Sequence, residues 1–333
     1  MRIVLDAMGS DNHPMADVAG AVMAAREWGD EIIIVGQEDV VRRELAGHDT
    51  TGLKLEVVHA SEVIEMDDKP AQAARAKKDS SMHVGMNLVR DGKADAYVTA
   101  GNTGGVLAVA TLHTLRRIPG VKRAAVTGVF PLPAGTVVVL DVGANADCKP
   151  EYLLQFAVMG AIYARVVLGR ENPRVALLSN GEEPYKGSAL VKEAYGLLEQ
   201  SGLNFIGNLE PKEIVLSQAD VVVTDGFSGN VFMKTLEATA KMLTGAIRDE
   251  IKAGVITSLG GLLAKPAFKR VGKKLDPKEV GGLPLLGVNG VVIKAHGRSD
   301  ALAIKNAVRQ ARGAVQGGIL EAIREGLAKE ERK

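Results

Sequence analysis

The sequence predicts an α/β protein with a doubly wound, mostly parallel sheet and helices on both faces, and two observations lead to that prediction. Short apolar runs alternate along the chain with segments whose apolar residues have helical spacing. Glycine accounts for 38 of the 333 residues, and most of the glycine-containing turns directly follow a predicted strand. In open sheets of this class, ligands bind where strands end in such turns.

The elements predicted within residues 2–59 support the prediction of a parallel sheet. Strands are predicted at residues 2–5, 31–35 and 54–59, and helices at 15–28 and 39–45 lie between them. This βαβαβ order gives parallel strands joined by right-handed crossovers.

The remaining elements continue this alternation, and no linker divides the chain. We therefore expect residues 1–333 to form a single α/β catalytic unit, with residues 231–280 as a projecting helical hairpin. The other predicted strands are 96–99, 123–130, 136–140, 174–178, 205–207, 219–224 and 291–295. The other predicted helices are 80–91, 104–115, 150–168, 188–201, 231–253 and 300–329.

Composition narrows the class of protein. The net charge of +1 gives no indication of a nucleic-acid partner. A single cysteine, Cys148, excludes a disulfide framework and is typical of a reducing compartment. The chain shows no signal-peptide pattern and no apolar run of about 20 residues, so we expect a cytoplasmic protein.

Six small-residue turns form the predicted binding site: DAMGSD (6–11), AGNTGG (100–105), DVGAN (141–145), SNGEEPYKG (179–187), DGFSGN (225–230) and GVNG (287–290). We expect them to converge on one edge of the sheet. Free backbone N–H groups at helix starts bind anions such as phosphate. The predicted phosphate- and substrate-binding residues are Asp6, Gly9, Asn102, Thr103, Gly104, Asn145, Glu183, Ser228, Gly229 and Asn289.

The aspartates of these turns have a simpler interpretation, which we favour over acid–base catalysis. Asp6, Asp141 and Asp225 each follow a predicted strand and precede glycine. In that position a carboxylate usually accepts hydrogen bonds from its own turn.

Four residues are predicted to be catalytic: Lys186, Asn230, Lys294 and His296. Lys186 would face the anion with Glu182 or Glu183 holding it, although the same loop could be a solvated surface ion pair. Lys294 and His296 are predicted on one face of a strand, although a lone histidine is often structural. We expect Cys148 to be an inert core thiol rather than a nucleophile.

Residues 254–275, GVITSLGGLLAKPAFKRVGKKL, contain no acidic residue. Such a mixture of bases and apolar residues indicates a membrane-surface element or a dock for an acidic partner, with a dimer-interface hairpin as the alternative. We expect a turn at Gly260 and Gly261. The predicted contact residues are Leu259, Leu262, Leu263, Lys265, Phe268, Lys269 and Arg270. Lys273, Lys274 and Leu275 complete the stretch.

Several common site motifs are absent from the sequence. There is no Walker A loop, no GxGxxG after the first strand, no HExxH and no cysteine–histidine cluster. A nucleophile elbow fails because Asn230 stands where the second glycine belongs. We therefore expect no cofactor and no metal.

In their order along residues 2–315, the six turn motifs resemble the bacterial phosphate acyltransferase (PlsX) family. Beside that family, an isopropylmalate-type dehydrogenase and a non-catalytic scaffold that binds acyl carrier protein at a membrane remain alternatives. The resemblance implies a fold like that of phosphotransacetylases and isopropylmalate dehydrogenase. It also implies acyl transfer from acyl–acyl carrier protein to inorganic phosphate for phospholipid synthesis. A homodimer at the inner face of the cell membrane, near a downstream membrane acyltransferase, is implied as well. Ser10 and Arg298 depart from the family pattern, which commonly has glycine and serine there.

Overall fold

A single sheet of 11 strands runs through this computed structural model, which describes residues 1–330 and their side chains except those of 273–275 and 277. The side chains of Lys273, Lys274 and Leu275, which belong to the predicted basic stretch, thus lie outside the described residues. The strands are β1 (Arg2–Asp6), β2 (Glu31–Gly36), β3 (Leu55–His59), β4 (Ala96–Thr99), β5 (Ala125–Leu132), β6 (Gly135–Leu140), β7 (Val175–Leu178), β8 (Phe205–Leu209), β9 (Val221–Val223), β10 (Gly282–Leu286) and β11 (Val291–Ala295). Their order across the sheet is β3-β2-β1-β4-β11-β10-β5-β6-β9-β7-β8.

The direction of the strands reverses in the middle of this sheet. Strands β3, β2, β1, β4 and β11 are parallel to one another, and so are β6, β9, β7 and β8. Three antiparallel pairs separate the two groups, namely β11 with β10, β10 with β5, and β5 with β6. The carboxyl ends of the two groups therefore point in opposite directions, and the prediction that all six turns share one sheet edge is wrong.

The helices cover both faces. They are α1 (Met15–Trp28), α2 (Glu38–Leu45), α3 (Pro70–Ala76), α4 (Ser81–Arg90), α5 (Thr103–Ala108), α6 (Pro150–Val166), α7 (Ala189–Glu199), α8 (Pro211–Val215), α9 (Gly226–Lys252), α10 (Val255–Leu275), α11 (Pro277–Val280), α12 (Ala301–Gln316) and α13 (Ile319–Glu330). Helix α5 continues into a π-helical turn, Val109–His113. The last predicted helix is divided into α12 and α13 because Gly318 adopts a φ of 64°.

Two hydrophobic cores confirm the doubly wound architecture. Along β1, Ile3 and Leu5 belong to one core and Val4 to the other, as the alternation of side chains in a strand requires. The first core includes buried residues of α1, α6, α7, α12 and α13, and the second includes those of α4, α5 and α8.

Helices α9 and α10 form the helical hairpin, and its turn lies at residues 253–254. The predicted turn at Gly260 and Gly261 is wrong because both glycines lie inside α10. Gly261 instead allows close helix packing, since a Cβ there would overlap the side chain of Ile251. Large apolar side chains of α10 remain exposed, and Ile256 and Leu263 reach 86% and 84%. Within the described residues, no helix is long and apolar enough to cross a membrane.

Candidate active site

A cavity of about 300 Å³ lies beyond the end of β1, lined by residues 8–11, 13 and 64–67. The segment that follows β11 lies beside this cavity, where the N–H of Asp11 donates to the Gly297 carbonyl at 2.8 Å. A Cβ at Gly297 would lie 2.7 Å from both Asp11 Oδ1 and Met66 Cε. Three separate segments therefore meet here, and glycine at position 297 makes their approach possible.

The buried carboxylates beneath this cavity are bound by the protein itself. Asp6 is fully buried, and its Oδ2 accepts hydrogen bonds from Tyr97 Oη at 3.0 Å and Thr99 Oγ1 at 2.8 Å. Ser10 Oγ donates to Asp17 Oδ2 at 2.6 Å, and burial raises the pKa of Asp17 to about 7. The hydroxyl proton of Ser10 is thus directed away from the cavity.

The turn after β4 supports the cavity without facing it. Asn102 caps α5 by accepting the Gly105 N–H at 3.0 Å, and its Nδ2 donates to the carbonyls of Glu65 and Met66 at 3.2 and 3.0 Å. Thr103 and Gly104 form the first turn of that helix. Asn102 therefore orients the wall formed by residues 64–67, and its polar atoms already have partners in the protein.

Cationic groups gather at the end of β11. Lys294 is partly buried. Its pKa is lowered to about 8, mainly by burial and secondly by the positive charge of Lys234. Burial and the charges of Lys294 and Lys234 also lower the pKa of His296, so its imidazole is mainly neutral at pH 7. Within residues 1–330, the Lys294 ammonium group forms no ion pair with an acidic side chain, although the Asp11 charge acts on it. This unneutralised cation suits an anionic ligand.

A second group of turns brings together the ends of β6 and β9. Asp141 accepts hydrogen bonds from Asn145 N and Nδ2 at 2.7 and 2.9 Å, and Asp225 caps α9 by accepting the Ser228 N–H at 2.8 Å. Asn230 Nδ2 donates to the Val142 carbonyl at 3.1 Å. Asn145 thus acts as a brace within its own turn, and the aspartates have the structural role that we favoured from the sequence.

Helix α9 connects the two groups. Asn230 contacts the turn after β6, while Lys234, four residues later, acts electrostatically on both Lys294 and His296. Residues four apart are neighbours on a helix surface. Sequence reasoning missed Lys234, although its spacing from the DGFSGN motif was a visible signal.

The loop after β7 holds Lys186. Its backbone N–H donates to the Glu183 carbonyl at 3.0 Å, and Asn208 Nδ2 donates to the same carbonyl at 2.9 Å. Glu182 is hydrogen-bonded to Glu213, which raises the pKa of Glu182. Glu182 therefore contacts α8, and in the described chain Lys186 forms no ion pair with either predicted glutamate.

The structure argues against the predicted substrate-binding role of Asn289, and it agrees with the expectation that the Cys148 thiol is inert. Asn289 lies in the turn between β10 and β11, at the amino end of β11 and thus away from Lys294; its Oδ1 accepts a hydrogen bond from Arg324. Cys148 donates weakly to the Asn145 carbonyl, and burial raises the pKa of its thiol to about 12. The thiolate that nucleophilic catalysis needs is therefore disfavoured.

Gly229→Ala should destabilise the protein by about 2 kcal/mol, because the new Cβ would overlap the Asp141 carbonyl oxygen. Gly245→Ala in the same helix is the control. Nothing lies within 4 Å of a Cβ there, so we expect about 0.5–1 kcal/mol of stabilisation. Denaturant unfolding measures both, and equal stability of the two variants would contradict the close approach.

Comparisons with known proteins agree with this fold. The structure superimposes on a phosphotransacetylase from Streptococcus pyogenes with a TM-score of 0.61 at 20% identity, covering 94% of each chain. EutD phosphotransacetylase from Staphylococcus aureus gives 0.60 at 17% identity, again over 94% of each chain. At these identities the similarity shows a shared α/β fold.

Sequence comparisons define the family. Residues 1–322 match the family model described as fatty acid synthesis protein. A phosphate acyltransferase of Herpetosiphon aurantiacus is 48% identical over 98% of each chain. One from Clostridioides difficile is 45% identical over 99% of this chain and 97% of its own. The chain therefore belongs to the phosphate acyltransferase family, and it is an acyltransferase.

Proposed function

We propose that the protein transfers a fatty acyl group from acyl–acyl carrier protein to inorganic phosphate, giving acyl phosphate for phospholipid synthesis. The observation that carries the proposal is the unneutralised Lys294, grouped with Lys234 and His296 near the cavity after β1. Inorganic phosphate is already a nucleophile, so the reaction needs orientation and charge stabilisation more than an activated side chain.

Lys294 and His296 provide different kinds of contact. Lys294, with a pKa of about 8, carries its proton at neutral pH in most molecules and supplies charge. His296 Nδ1 accepts the Arg298 N–H at 3.1 Å, so the neutral imidazole carries its proton on Nε2. That N–H is available as a donor to a phosphate oxygen.

The acyl thioester is attacked at its carbonyl carbon, and negative charge develops on the carbonyl oxygen. A phosphate oxygen forms the new C–O bond, and the carrier-protein thiolate leaves. We propose that Lys186 stabilises developing charge and that Asn230 orients a substrate from α9. The Nδ2 group of Asn230 donates to the Val142 carbonyl. In the described chain, its Oδ1 atom is left to accept a hydrogen bond from a donor group of a substrate.

Asn230→Ala and Lys186→Ala should each lower turnover by about a hundredfold, the effect of removing one group that acts in the transition state. Steady-state acyl phosphate formation measures this. Lys192→Ala on α7 is the matched control for loss of a lysine charge. Full activity with the fold intact would remove the residue concerned from the mechanism.

The assembly and location are proposed from the family resemblance and the exposed α10. We propose a homodimer, cytoplasmic and peripherally bound to the membrane through Leu259, Leu262, Leu263 and Phe268, with Lys265, Lys269 and Arg270 near the lipid headgroups. A downstream membrane acyltransferase would then receive the acyl phosphate at that surface. Light scattering measures the dimer.

The decisive experiment incubates the protein with acyl–acyl carrier protein and labelled phosphate. We expect labelled acyl phosphate, formed in equal amount with free carrier thiol. Absence of this product, with the folded protein present, would refute the proposed reaction. A dehydrogenase would instead bind NAD, which titration of protein fluorescence detects.

A further inference from the structure

A second basic surface lies far along the chain from α10. The chain has no Asp or Glu between residues 96 and 140. Within that stretch, residues 116–123 form an exposed segment, here called the basic loop, between the π-helical turn and β5. Its exposed cations are Arg116, Arg117, Lys122 and Arg123.

The backbone of the basic loop is fixed by the protein. The Ile118 N–H donates to the Gly287 carbonyl at 3.0 Å, and the Asn289 N–H donates to the Arg116 carbonyl at 2.9 Å. On the other side, the Lys122 N–H donates to Gln155 Oε1 at 2.8 Å. The cations are therefore presented by a preorganised loop, which lowers the entropic cost of binding a partner.

Acidic side chains leave most of this charge uncompensated. Among the described residues, Glu151 is the one acid that approaches these four cations within ion-pair distance, at 3.9 Å from Lys122 Nζ. Arg123 lies over the ring of Tyr152, with 5.7 Å between its Cζ and the ring centroid. An exposed ion pair at the limit of contact contributes little, so the loop presents a net positive surface.

The basic loop adjoins the second group of turns. Arg123 directly precedes Ala124, whose carbonyl accepts a hydrogen bond from Asn145 Nδ2 at 2.8 Å. The charge of Arg123 also acts on the thiol of Cys148, as do those of Asp141 and Asp225. A protein bound to the loop would thus stand beside the start of α9, which carries Asn230.

Resting on the function proposed above, we propose that the basic loop is the docking surface for the acidic carrier protein that delivers the acyl group. Complementary charge steers such a partner and fixes its orientation. The large apolar residues of the loop, Ile118 and Val121, are 1% and 5% exposed, whereas those of α10 point outward. The loop therefore fits a protein surface, and Pro119 is its one exposed apolar residue, in contrast to the several large apolar side chains that insertion into lipid requires.

The test compares two acyl donors for the double variant Lys122→Glu, Arg123→Glu. With acyl–acyl carrier protein we expect KM to rise about tenfold at low salt, and the defect to shrink as ionic strength rises. With the acyl thioester of N-acetylcysteamine, which carries no protein, kcat/KM should stay within about twofold. The control is Arg43→Glu, an exposed cation on α2, which packs against β2 and the edge strand β3 and thus away from the basic loop.

Other outcomes overturn the proposal. An unchanged KM for the carrier protein, or an equal loss with both donors, refutes docking at the loop. The same holds if Lys265→Glu, Lys269→Glu on α10 alone produces the carrier-specific defect, or if light scattering shows that the loop variant has changed its oligomeric state. If the double variant does not fold, Lys122→Gln, Arg123→Gln replaces it. No acyl phosphate from the unmodified protein with either donor would refute the reaction itself.

Discussion

Lys294→Met should lower kcat/KM for phosphate by about a thousandfold, the upper range for loss of one preorganised charge-stabilising group. Methionine keeps much of the length and apolar character of the lysine stem, so the partly buried site should stay packed. Initial rates at varied phosphate concentration measure the effect. Circular dichroism and thermal unfolding confirm that the variant is folded.

The pH dependence of kcat/KM for phosphate distinguishes loss of the Lys294 charge from a change in the packing of the site. Burial and Lys234 lower the pKa of Lys294 to about 8, so its cation is present below that pH and is lost as the pH rises through it. Lys234, Asp11, Glu237 and His296, whose pKa is lowered by burial and by the two lysine charges, share this neighbourhood. We expect kcat/KM for phosphate to fall above about pH 8, and this alkaline decrease to be absent from Lys294→Met. An identical decrease in the variant would assign it to another group.

Leu262→Glu, Leu263→Glu should abolish binding to vesicles that contain anionic lipid while leaving acyl transfer in solution intact. Leu262 and Leu263 are 65% and 84% exposed on α10, where insertion into lipid would bury them. A carboxylate in their place both loses that apolar area and repels anionic headgroups, whereas each nearby base contributes about 1 kcal/mol of attraction. Flotation through a density gradient is the measurement.

Two substitutions on α9 control for the change in net charge. Lys241→Gln, Lys252→Gln lowers the net charge by the same amount as the leucine variant, at exposed positions of the same hairpin, while leaving the α10 leucines unchanged. We expect this variant to keep most of its flotation. Flotation that persists in the leucine variant would show that α10 is not a membrane contact. Loss of acyl–acyl carrier protein transfer alone would identify α10 as the carrier dock.

The sequence by itself determined most of the local structure. Apolar runs such as residues 2–5 and 96–99 became β1 and β4, since a strand buried on both faces needs apolar side chains throughout. The turns after β1, β6 and β9 were located from Asp and Gly, because a short carboxylate satisfies the free N–H groups of a turn or helix start. Ordered motifs of this kind also indicated the family, which the comparisons then confirmed.

Only the tertiary structure decided which turns meet. Strand β10 was not predicted, because Pro284 and the flanking glycines are unfavourable in a strand. Its antiparallel pairing with β11 and β5, together with that of β5 and β6, reverses the direction of the strands across the sheet. Asn102 and Asn145 looked like ligand donors, but their amides donate to carbonyls distant in sequence, and that of Asn145 also donates to the nearby Asp141 carboxylate. Lys234 lies close enough to act on the charges of Lys294 and His296 because α9 connects the two groups of turns. Local pattern specifies each segment, whereas the neighbours of a side chain depend on strand order and helix direction, which no local pattern encodes.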